Sequence, residues 1–316
     1  MLLSTYSEEE SGIKQRNFTL PSDLTQPTDV VIPTSNVASE HKPLQARLSL
    51  KFAEMDGVTR LVEREHFGPL LVQKPFYPEG RKICHVVIIH PPGGVVGGDQ
   101  LEISAQVDAF ANAQITTPGA AKWYKANGHT SHQKIRVNVR KGGSLEWVPQ
   151  ETIFYNNANV EIDHQVILED DAVYVSCEIL CFGRTAYGET FSNGQIKQRT
   201  SIKRNNKLVW LEQIHLLGES SAMSGALTLS GKTVCATLIL TGKTIPQPMI
   251  DLAREETNRI TKRAGQVGMS QLKSAVVVRY LGDSSEVAKQ VMLCVWGLLR
   301  PELIGCAAIV PRMWNT

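Results

Sequence analysis

Hydrophobic and polar positions alternate with a period of two over most of the chain from Leu44 onward. In LEISAQVDA (101–109), Leu, Ile, Ala and Val alternate with Glu, Ser, Gln and Asp. KIRVNVR (134–140) and NVEIDHQVIL (159–168) repeat the scheme, and Gly, Pro or Asn bounds each run. Because successive side chains of a strand point to opposite faces, these runs predict half-buried β-strands.

Further strand candidates follow the same composition along the whole chain. They are ICHVVIIH (83–90), SLEWVP (144–149), DAVYVSCEILCF (171–182), IKQRTSIKR (196–204), KLVWLEQIHLL (207–217), TVCATLIL (233–240) and SAVVVRYL (274–281). Strands this numerous without intervening helices indicate an all-β sandwich, barrel or solenoid. The sequence shows no fixed repeat, so a solenoid would have to be irregular.

Two helices are predicted near the C-terminus. The first covers IDLAREETNRITKRAG (250–265), which is rich in helix-forming residues and ends at Gly265. The second begins at a cap provided by Asp283 or Ser284 and is stopped by Pro301. Its apolar positions recur at helical spacing and form one stripe, made of Val287, Val291, Cys294, Val295 and Leu298.

The N-terminal residues 1–43 differ from the rest. Eleven of them are Ser or Thr and four are Pro, and few carry large apolar side chains. Such a segment cannot bury enough surface to offset its ordering entropy, so we expect a polar, disordered extension. Residues 44–316 then form a single β-rich domain, which is within the size of one large domain.

Composition excludes several classes of function. The formal net charge of +2 gives no support to nucleic-acid binding, which needs a strongly basic surface. The N-terminus MLLSTYSEEE lacks the features of a signal peptide, and VMLCVWGLL (291–299) is about half as long as a bilayer span requires. We therefore expect a soluble, cytoplasmic protein with no membrane association, whose six cysteines are buried thiols.

The glycine-rich stretch HPPGGVVGGD (90–99) raises the question of a phosphate loop. It matches neither the P-loop nor the dinucleotide fingerprint, and a strand follows it where a phosphate loop needs a helix N-terminus. The glycines are explained by a tight connection between two backbones. Asp99 is left with two interpretations, a turn stabiliser or a ligand.

Two carboxylates stand among large apolar neighbours. In DAVYVSCEILCF, Cys177 and Cys181 fall on one strand face about 13 Å apart, too far to share a metal whose bond to sulfur is about 2.3 Å. Glu178 falls on the opposite face, beside Leu180 and Phe182, and Glu212 lies in a similar apolar run. Each acid either faces solvent or needs water, a partner or a cation. No catalytic motif stands out.

A series of longer motifs occurs in fixed order. They are PFYPEG (75–80), HPPGGVVGGD (90–99), TTPGAAKWYK (116–125), LEWVPQETI (145–153), GRxxxGExF (183–191), WGLLRPEL (296–303) and PRMWNT (311–316). This series resembles the family of urease accessory proteins named UreD, or UreH in some organisms. The resemblance covers nearly everything from about residue 44 onward, and several long motifs in order are a specific signal.

The resemblance implies a β-helical scaffold with two helices near the C-terminus and no enzymatic activity. Members of this family act as chaperones in assembly of the nickel metallocentre of urease, and so in nitrogen metabolism. They bind the urease apoprotein and the accessory protein UreF, which recruits the GTPase UreG. Nickel is implied as a transient cargo, with no tightly bound cofactor.

The isolated acids acquire a possible use in such a protein. Widely spaced carboxylates give weak oxygen sites that release nickel, whereas clustered His and Cys would retain it. Asp99, Glu178 and Glu212 are therefore the residues expected to line a nickel passage. One alternative is a docking scaffold that nickel never enters, in which the C-terminal helix and PRMWNT contact UreF. A carbohydrate-active β-helix enzyme is a third possibility, but it needs a pair of carboxylates about 5 to 9.5 Å apart, and none is evident.

Overall fold

The computed structural model describes residues 42–315. Its strands are β1 (Gln45–Met55), β2 (Val58–Phe67), β3 (Leu71–Val72), β4 (Ile83–Ile89), β5 (Gln100–Val107), β6 (Asn112–Thr116), β7 (Ala121–Trp123), β8 (Ser131–Val139), β9 (Ser144–Trp147), β10 (Thr152–Phe154), β11 (Asn159–Leu168), β12 (Val173–Phe182), β13 (Gln195–Arg204), β14 (Lys207–Leu217), β15 (Val234–Thr241), β16 (Gly265–Gln271) and β17 (Ala275–Gly282). The helices are α1 (Ser221–Ser224), α2 (Gln247–Thr261) and α3 (Ser285–Ile304), with short 3-10 helices at Thr185–Tyr187 and Arg312–Asn315.

Two sheets form the walls of the molecule. Sheet A has the strand order β14-β13-β11-β8-β5-β1-β2, and its five inner strands run parallel. Sheet B has the order β16-β17-β15-β12-β9-β6-β4-β3, with β4, β6, β9 and β12 parallel. The chain passes from one sheet to the other and back, so each coil adds a strand to both. This arrangement is a β-solenoid, which is one of the three architectures that the strand pattern allows and the one that the resemblance implies.

The coils differ in length, which explains why the sequence has no fixed repeat. In sheet A, Gln100 pairs with His132, His132 with Glu161, and Glu161 with Lys197, so successive coils advance by 32, 29 and 36 residues. The differences lie in the connections between strands. The predicted irregular solenoid is therefore confirmed.

A short third side joins the two sheets along one edge. Trp123, Phe154 and Phe182 are in register on β7, β10 and β12, and Val95 forms an isolated bridge to Trp123. Because their side chains are buried, these residues fix the loops of successive coils against each other. The stretch 90–99 is the first of these loops.

Strand β12 is buried on both faces and separates two hydrophobic cores. Tyr174, Leu180 and Phe182 belong to the core between the sheets, inside the solenoid. Cys177 and Ile179 belong to a second core between sheet B and helices α2 and α3. Burial raises the pKa of the Cys177 thiol to about 12, so it is a core residue, as its strand position predicts.

Both C-terminal helices are confirmed, but their predicted ends are wrong. Helix α2 ends at Thr261, and Gly265 begins β16 instead of closing the helix. Helix α3 has Ser284 as its N-cap, whose hydroxyl accepts a hydrogen bond from the Val287 N–H at 3.2 Å. It continues through Pro301 to Ile304, where Gly305 ends it in a left-handed conformation with φ of 83°.

Helix α3 tolerates Pro301 because contacts of its last turn hold the backbone in place. A proline inside a helix removes one hydrogen bond and crowds the carbonyl four residues earlier, here that of Gly297. The buried face of helix α3 is rotated slightly about the helix axis relative to the predicted apolar stripe. It consists of Ala288, Val291, Met292, Val295, Trp296, Leu299 and Arg300.

The predicted disordered extension, residues 1–43, falls outside the described residues except for Lys42 and Pro43. Within residues 42–315, no helix combines the length and the apolar character needed to cross a membrane.

Candidate functional site

Two rows of polar residues face each other inside the solenoid. The row on sheet A consists of His164, Thr200 and Glu212, and the row on sheet B consists of Glu178, Thr237 and Arg279. Each row crosses three neighbouring strands and consists of residues that pair in register. Because side chains alternate between the two faces of a strand, residues in register point to the same face, which here is the interior of the solenoid. We call the two rows together the interior line.

At one end of the interior line, Glu178 lies opposite His164. The Gln198 side-chain amide donates to Glu178 Oε2 at 2.6 Å, and His164 Nδ1 lies 3.8 Å from Glu178 Oε1. The other ring nitrogen of His164, Nε2, is 3.0 Å from the Tyr174 hydroxyl. The Glu178 side chain is only 18 % exposed, so it is an interior acid and not a solvent-facing strand residue.

At the other end, Glu212 lies opposite Arg279. Arg279 Nη2 is 2.8 Å from Glu212 Oε1, and the Arg279 side chain is 53 % exposed whereas that of Glu212 is 9 % exposed. Burial raises the pKa of Glu212, the Arg279 guanidinium opposes that rise, and the charge of Glu178 adds to it. Since Glu178 and Arg279 are two strands apart at about 4.8 Å per strand, the two acids are separated by about 10 Å.

Several polar atoms along the interior line have unmet hydrogen-bonding capacity. His164 Nδ1, Gln198 Oε1 and Thr200 Oγ1 are buried and have no hydrogen-bond partner among residues 42–315. Buried polar atoms are normally paired with protein or ordered water, so such a run suits water or a hydrated cation. No group of three or more His, Cys, Asp or Glu in the described part of the chain could hold a metal ion. The line therefore offers sequential oxygen sites and no closed metal centre.

The two acids belong to the walls of different cavities. Glu178 and Gln198 line a cavity of about 340 Å³ inside the solenoid, which reaches His90 in the loop 90–99. Glu212 and Arg279 line a second cavity of about 540 Å³ beside β14. The interior line thus runs from one cavity to the other.

Asp99 lies outside the interior line, in the turn that ends the loop 90–99. Its carboxylate accepts hydrogen bonds from the backbone N–H groups of Leu44 and Val96, each at 2.9 Å. These contacts are those of a turn stabiliser. Burial lowers the pKa of the neighbouring His90, and the charge of Asp99 opposes this, so Asp99 acts electrostatically on a residue of the 340 Å³ cavity.

Sequence reasoning missed a second buried polar group, on the opposite face of sheet B. Arg300 is fully buried, and its guanidinium contacts Glu146 at 2.8 Å and Glu79 at 2.6 Å. The Trp296 indole N–H donates to Glu146 Oε1 at 2.6 Å, and His85 Nε2 is 2.6 Å from Glu79 Oε1. We call these five residues the arginine cluster.

The arginine cluster fastens helix α3 to the solenoid. Burial alone would raise the pKa of Glu79, but hydrogen bonds from His85 and Arg300 outweigh it and hold that pKa below its usual range. Three of the sequence motifs meet here, since Glu79 belongs to PFYPEG, Glu146 to LEWVPQETI and Arg300 to WGLLRPEL. The sequence signal that could have revealed the cluster is a charged residue inside an otherwise apolar strand or helix.

These features define a β-solenoid scaffold with a polar line through its interior. A model of the family described as UreD urease accessory protein matches residues 44–315. The chain is 60 % identical to the urease accessory protein UreD of Nitrosospira multiformis, over 87 % of this chain and 98 % of that protein. It is 53 % identical to the UreD of a Janthinobacterium species over 86 % and 92 %, and 40 % identical to that of Methylobacillus flagellatus over 90 % and 98 %. The chain belongs to the UreD urease accessory protein family.

Proposed function

We propose that this chain is a non-enzymatic maturation factor of urease, working in the cytoplasm. It is a scaffold that binds the urease apoprotein and UreF, which recruits the GTPase UreG, and nickel crosses it along the interior line. The observation that carries this proposal is the pair of facing rows, with an acid at each end and the Thr200 hydroxyl, which has no hydrogen-bond partner among the described residues, between them. Membership of the UreD family supports the urease role.

The chemistry of the line suits passage of a divalent cation. A cation moving between Glu178 and Glu212 leaves one carboxylate for another about 10 Å away, and unpaired side-chain atoms can bond its hydration shell on the way. Oxygen ligands in small number bind nickel more weakly than clustered imidazoles or thiolates would. Weak sites in series allow both entry and release.

The Glu212 end has a built-in competitor for the cation. Arg279 pairs with Glu212, so an arriving cation must displace the guanidinium. The exposed Arg279 side chain can move toward solvent and stack further over the Trp210 ring, whose centroid is 5.7 Å away. In this proposal Arg279 neutralises Glu212 whenever no nickel is present.

Asp99 is the third acid of the proposed passage. Its carboxylate holds backbone N–H groups, so it contributes mainly charge, through His90, to the loop end of the 340 Å³ cavity. We therefore expect it to matter less for nickel than Glu178 or Glu212. Nickel is a transient cargo at all three positions.

A glycosidase role receives no support from this geometry. Paired carboxylates in such enzymes flank a cleft that admits a sugar. Glu178 faces the solenoid interior and Glu212 is paired with Arg279. The remaining alternative is a docking scaffold that nickel never enters.

The experiment measures nickel in urease matured with single variants of this chain. E178Q and E212Q remove a charge and keep the shape, and we expect each to lower nickel per urease by about tenfold or more. E161Q is the matched control, because Glu161 is an acid on the outer face of sheet A with a half-exposed side chain. D99N should give a smaller loss.

Co-purification with urease and UreF must be unchanged in the same variants. If the E178Q/E212Q double variant keeps its partners and the urease still holds its full nickel content, nickel does not use this line. The docking-scaffold alternative would then stand.

A further inference from the structure

The two edges of sheet A differ in how they are protected. Edge strands present unpaired N–H and C=O groups, and natural proteins usually guard them with charged side chains. Strand β2 follows this rule and carries Arg60, Glu63, Arg64, Glu65 and His66. Strand β14 does not, because Leu208, Leu211 and Leu217 are all exposed on it.

The backbone of β14 is available for pairing on its outer side. In residues 42–315, β14 pairs with β13 alone, and it is eleven residues long. In an antiparallel ladder alternate residues bond to the partner strand, so the other N–H and C=O groups of β14 point away from β13. Only near its end is a group used locally, where the Ser220 N–H and hydroxyl donate to the Leu217 carbonyl.

Charges on the outer face of sheet A alternate in sign from strand to strand. The outward charged residues are Arg47 and Lys51 on β1, Glu102 on β5, Lys134 and Arg136 on β8, Glu161 and Asp163 on β11, and Lys197, Arg199 and Lys203 on β13. Neighbouring strands pair across this pattern, for example Arg136 with Asp163 at 2.6 Å and Lys197 with Glu161 at 3.1 Å.

The alternation stops at β14. Its outward residues next to the cationic β13 are Leu211, Gln213, His215 and Leu217, with no carboxylate among them. No carboxylate of the described residues lies within 4 Å of Arg199 or Lys203. The sheet therefore ends with an apolar edge beside unneutralised positive charge.

The cavity that Glu212 and Arg279 line adjoins the same edge and also has apolar walls. Leu211 and Ile214 of β14 line the 540 Å³ cavity together with Leu227 and Leu229 from the following loop. Leu227 is fully exposed. A segment lying along β14 would cover these leucines and fill part of the cavity.

We propose that β14 is a docking edge for an extended segment of a protein partner, which adds to sheet A as an eighth strand. The segment alternates apolar residues, which face the cavity and cover Leu227, with acidic residues, which lie on the outer face of sheet A. The acids meet Arg199 and Lys203 across β14, over two strand spacings or about 9.6 Å, a gap that the long side chains of both partners bridge together. Backbone pairing supplies affinity and the alternate side chains supply specificity.

A second copy of this chain fits the edge less well. Pairing β14 with another β14 would put two cationic β13 strands on one continuous face, three strand spacings or about 14 Å apart, without acids between them. Such a pairing supplies no carboxylate for Arg199 or Lys203, and like charges oppose association. The charge pattern thus favours an acidic partner.

The docking edge also bears on the proposed nickel passage. Glu212 is on β14 and lines the cavity that the docked segment would cover. A docked partner would therefore lie at the Glu212 end of the interior line. This last step rests on the proposed function, whereas docking itself does not.

The test uses the full-length chain and two synthetic peptides, one of alternating valine and glutamate and one of alternating valine and lysine. We expect the glutamate peptide to bind and to slow hydrogen exchange of β14 amides, and the lysine peptide to do neither. L227S should weaken binding about tenfold, because it removes the apolar side chain that the segment covers. V62S is the control, since Val62 is 41 % exposed on the other edge strand, β2.

Charge reversal gives a second, independent variant in case L227S fails to fold. R199E/K203E should weaken binding of the glutamate peptide and allow the lysine peptide to bind. The proposal is overturned if both peptides bind the parent chain alike, if V62S weakens binding as much as L227S, or if β14 amides become protected from exchange merely on concentrating the chain. E178Q should leave peptide binding unchanged, so failure of the nickel passage and failure of docking give different results.

Discussion

The interior line and the arginine cluster lie on opposite faces of sheet B and differ in how fully their polar atoms are paired. In the arginine cluster, the guanidinium of Arg300 contacts two carboxylates, and Trp296 and His85 bond the same two acids. In the interior line, His164 Nδ1 and Thr200 Oγ1 have no hydrogen-bond partner among the described residues, and His164 Nδ1 lies 3.8 Å from Glu178 Oε1.

Under the proposed function, this difference separates a structural role of the arginine cluster from a transport role of the interior line. Saturated buried ion pairs hold elements together and resist change, because removing one partner leaves an uncompensated charge. Unsaturated polar groups leave capacity for water or a cation. Burial of a charged residue is thus a weaker sign of function than the presence of buried polar atoms without hydrogen-bond partners beside it.

The largest expected effect comes from removing the guanidinium of the arginine cluster. R300M leaves the buried carboxylates of Glu79 and Glu146 without the guanidinium that neutralises them. We expect this substitution to lower the free energy of unfolding by about 3–5 kcal/mol. Urea denaturation followed by circular dichroism measures this loss. R259M is the control, because Arg259 forms only exposed helix pairs worth less than about 1 kcal/mol. Equal stability of R300M and the parent would refute a structural role of the cluster.

The second largest effect on stability is expected for the substitution of Asp99. D99A leaves the N–H groups of Leu44 and Val96 without their acceptor, so the free energy of unfolding should fall by about 1–3 kcal/mol. Thermal unfolding beside an exposed control such as E161A measures the effect. If D99A unfolds like the control, the carboxylate is dispensable for the turn and its functional interpretation gains weight.

The two sites should respond to pH in opposite directions. The pKa of Glu79 is lowered on folding, so its contribution to stability is present above its ordinary pKa of 4.5 and is lost as pH falls through the lower folded value. The pKa of Glu212 is raised, so its contribution is present below 4.5 and is lost as pH rises through the higher folded value. Consequently E212Q should gain stability relative to the parent as pH rises above 4.5, whereas E79Q should lose stability relative to the parent as pH rises toward 4.5 from below.

Melting temperatures at a series of pH values check both signs. H215Q is a suitable control, because His215 is exposed on the outer face of β14. Parallel pH dependence of E79Q and E212Q would remove the distinction between the two sites.

The smallest effect on stability is expected for E178Q. Glutamine keeps the shape and still accepts a hydrogen bond from Gln198, so the free energy of unfolding should change by about 1 kcal/mol or less. Urea denaturation measures this beside R300M. A loss as large as that of R300M would mean that Glu178 is structural, and the proposed passage would lose its first acid.

Period-two alternation was sufficient to predict most of the strands. NVEIDHQVIL corresponds to β11 and KLVWLEQIHLL to β14 residue for residue. The helix ends were not predictable in the same way, because Pro301 normally breaks a helix and here long-range contacts of Arg300 override that local preference.

The candidate site was predictable only in part. Glu178 and Glu212 stood out because acids among large apolar neighbours need a partner, but their alignment depends on register across several strands. Sequence separation hid the arginine cluster altogether, since Arg300 is 154 residues from Glu146 and 221 from Glu79. Only the fold brings such distant residues together.

The arginine cluster also has a consequence for how the chain is made. At roughly 5–20 residues per second, a ribosome needs on the order of ten seconds or more to reach Arg300 after Glu146 has emerged. During that interval the outer face of sheet B has neither its guanidinium nor helix α3 to cover it. The nascent protein therefore passes through a stage that is exposed to aggregation, and translation of α3 ends that stage.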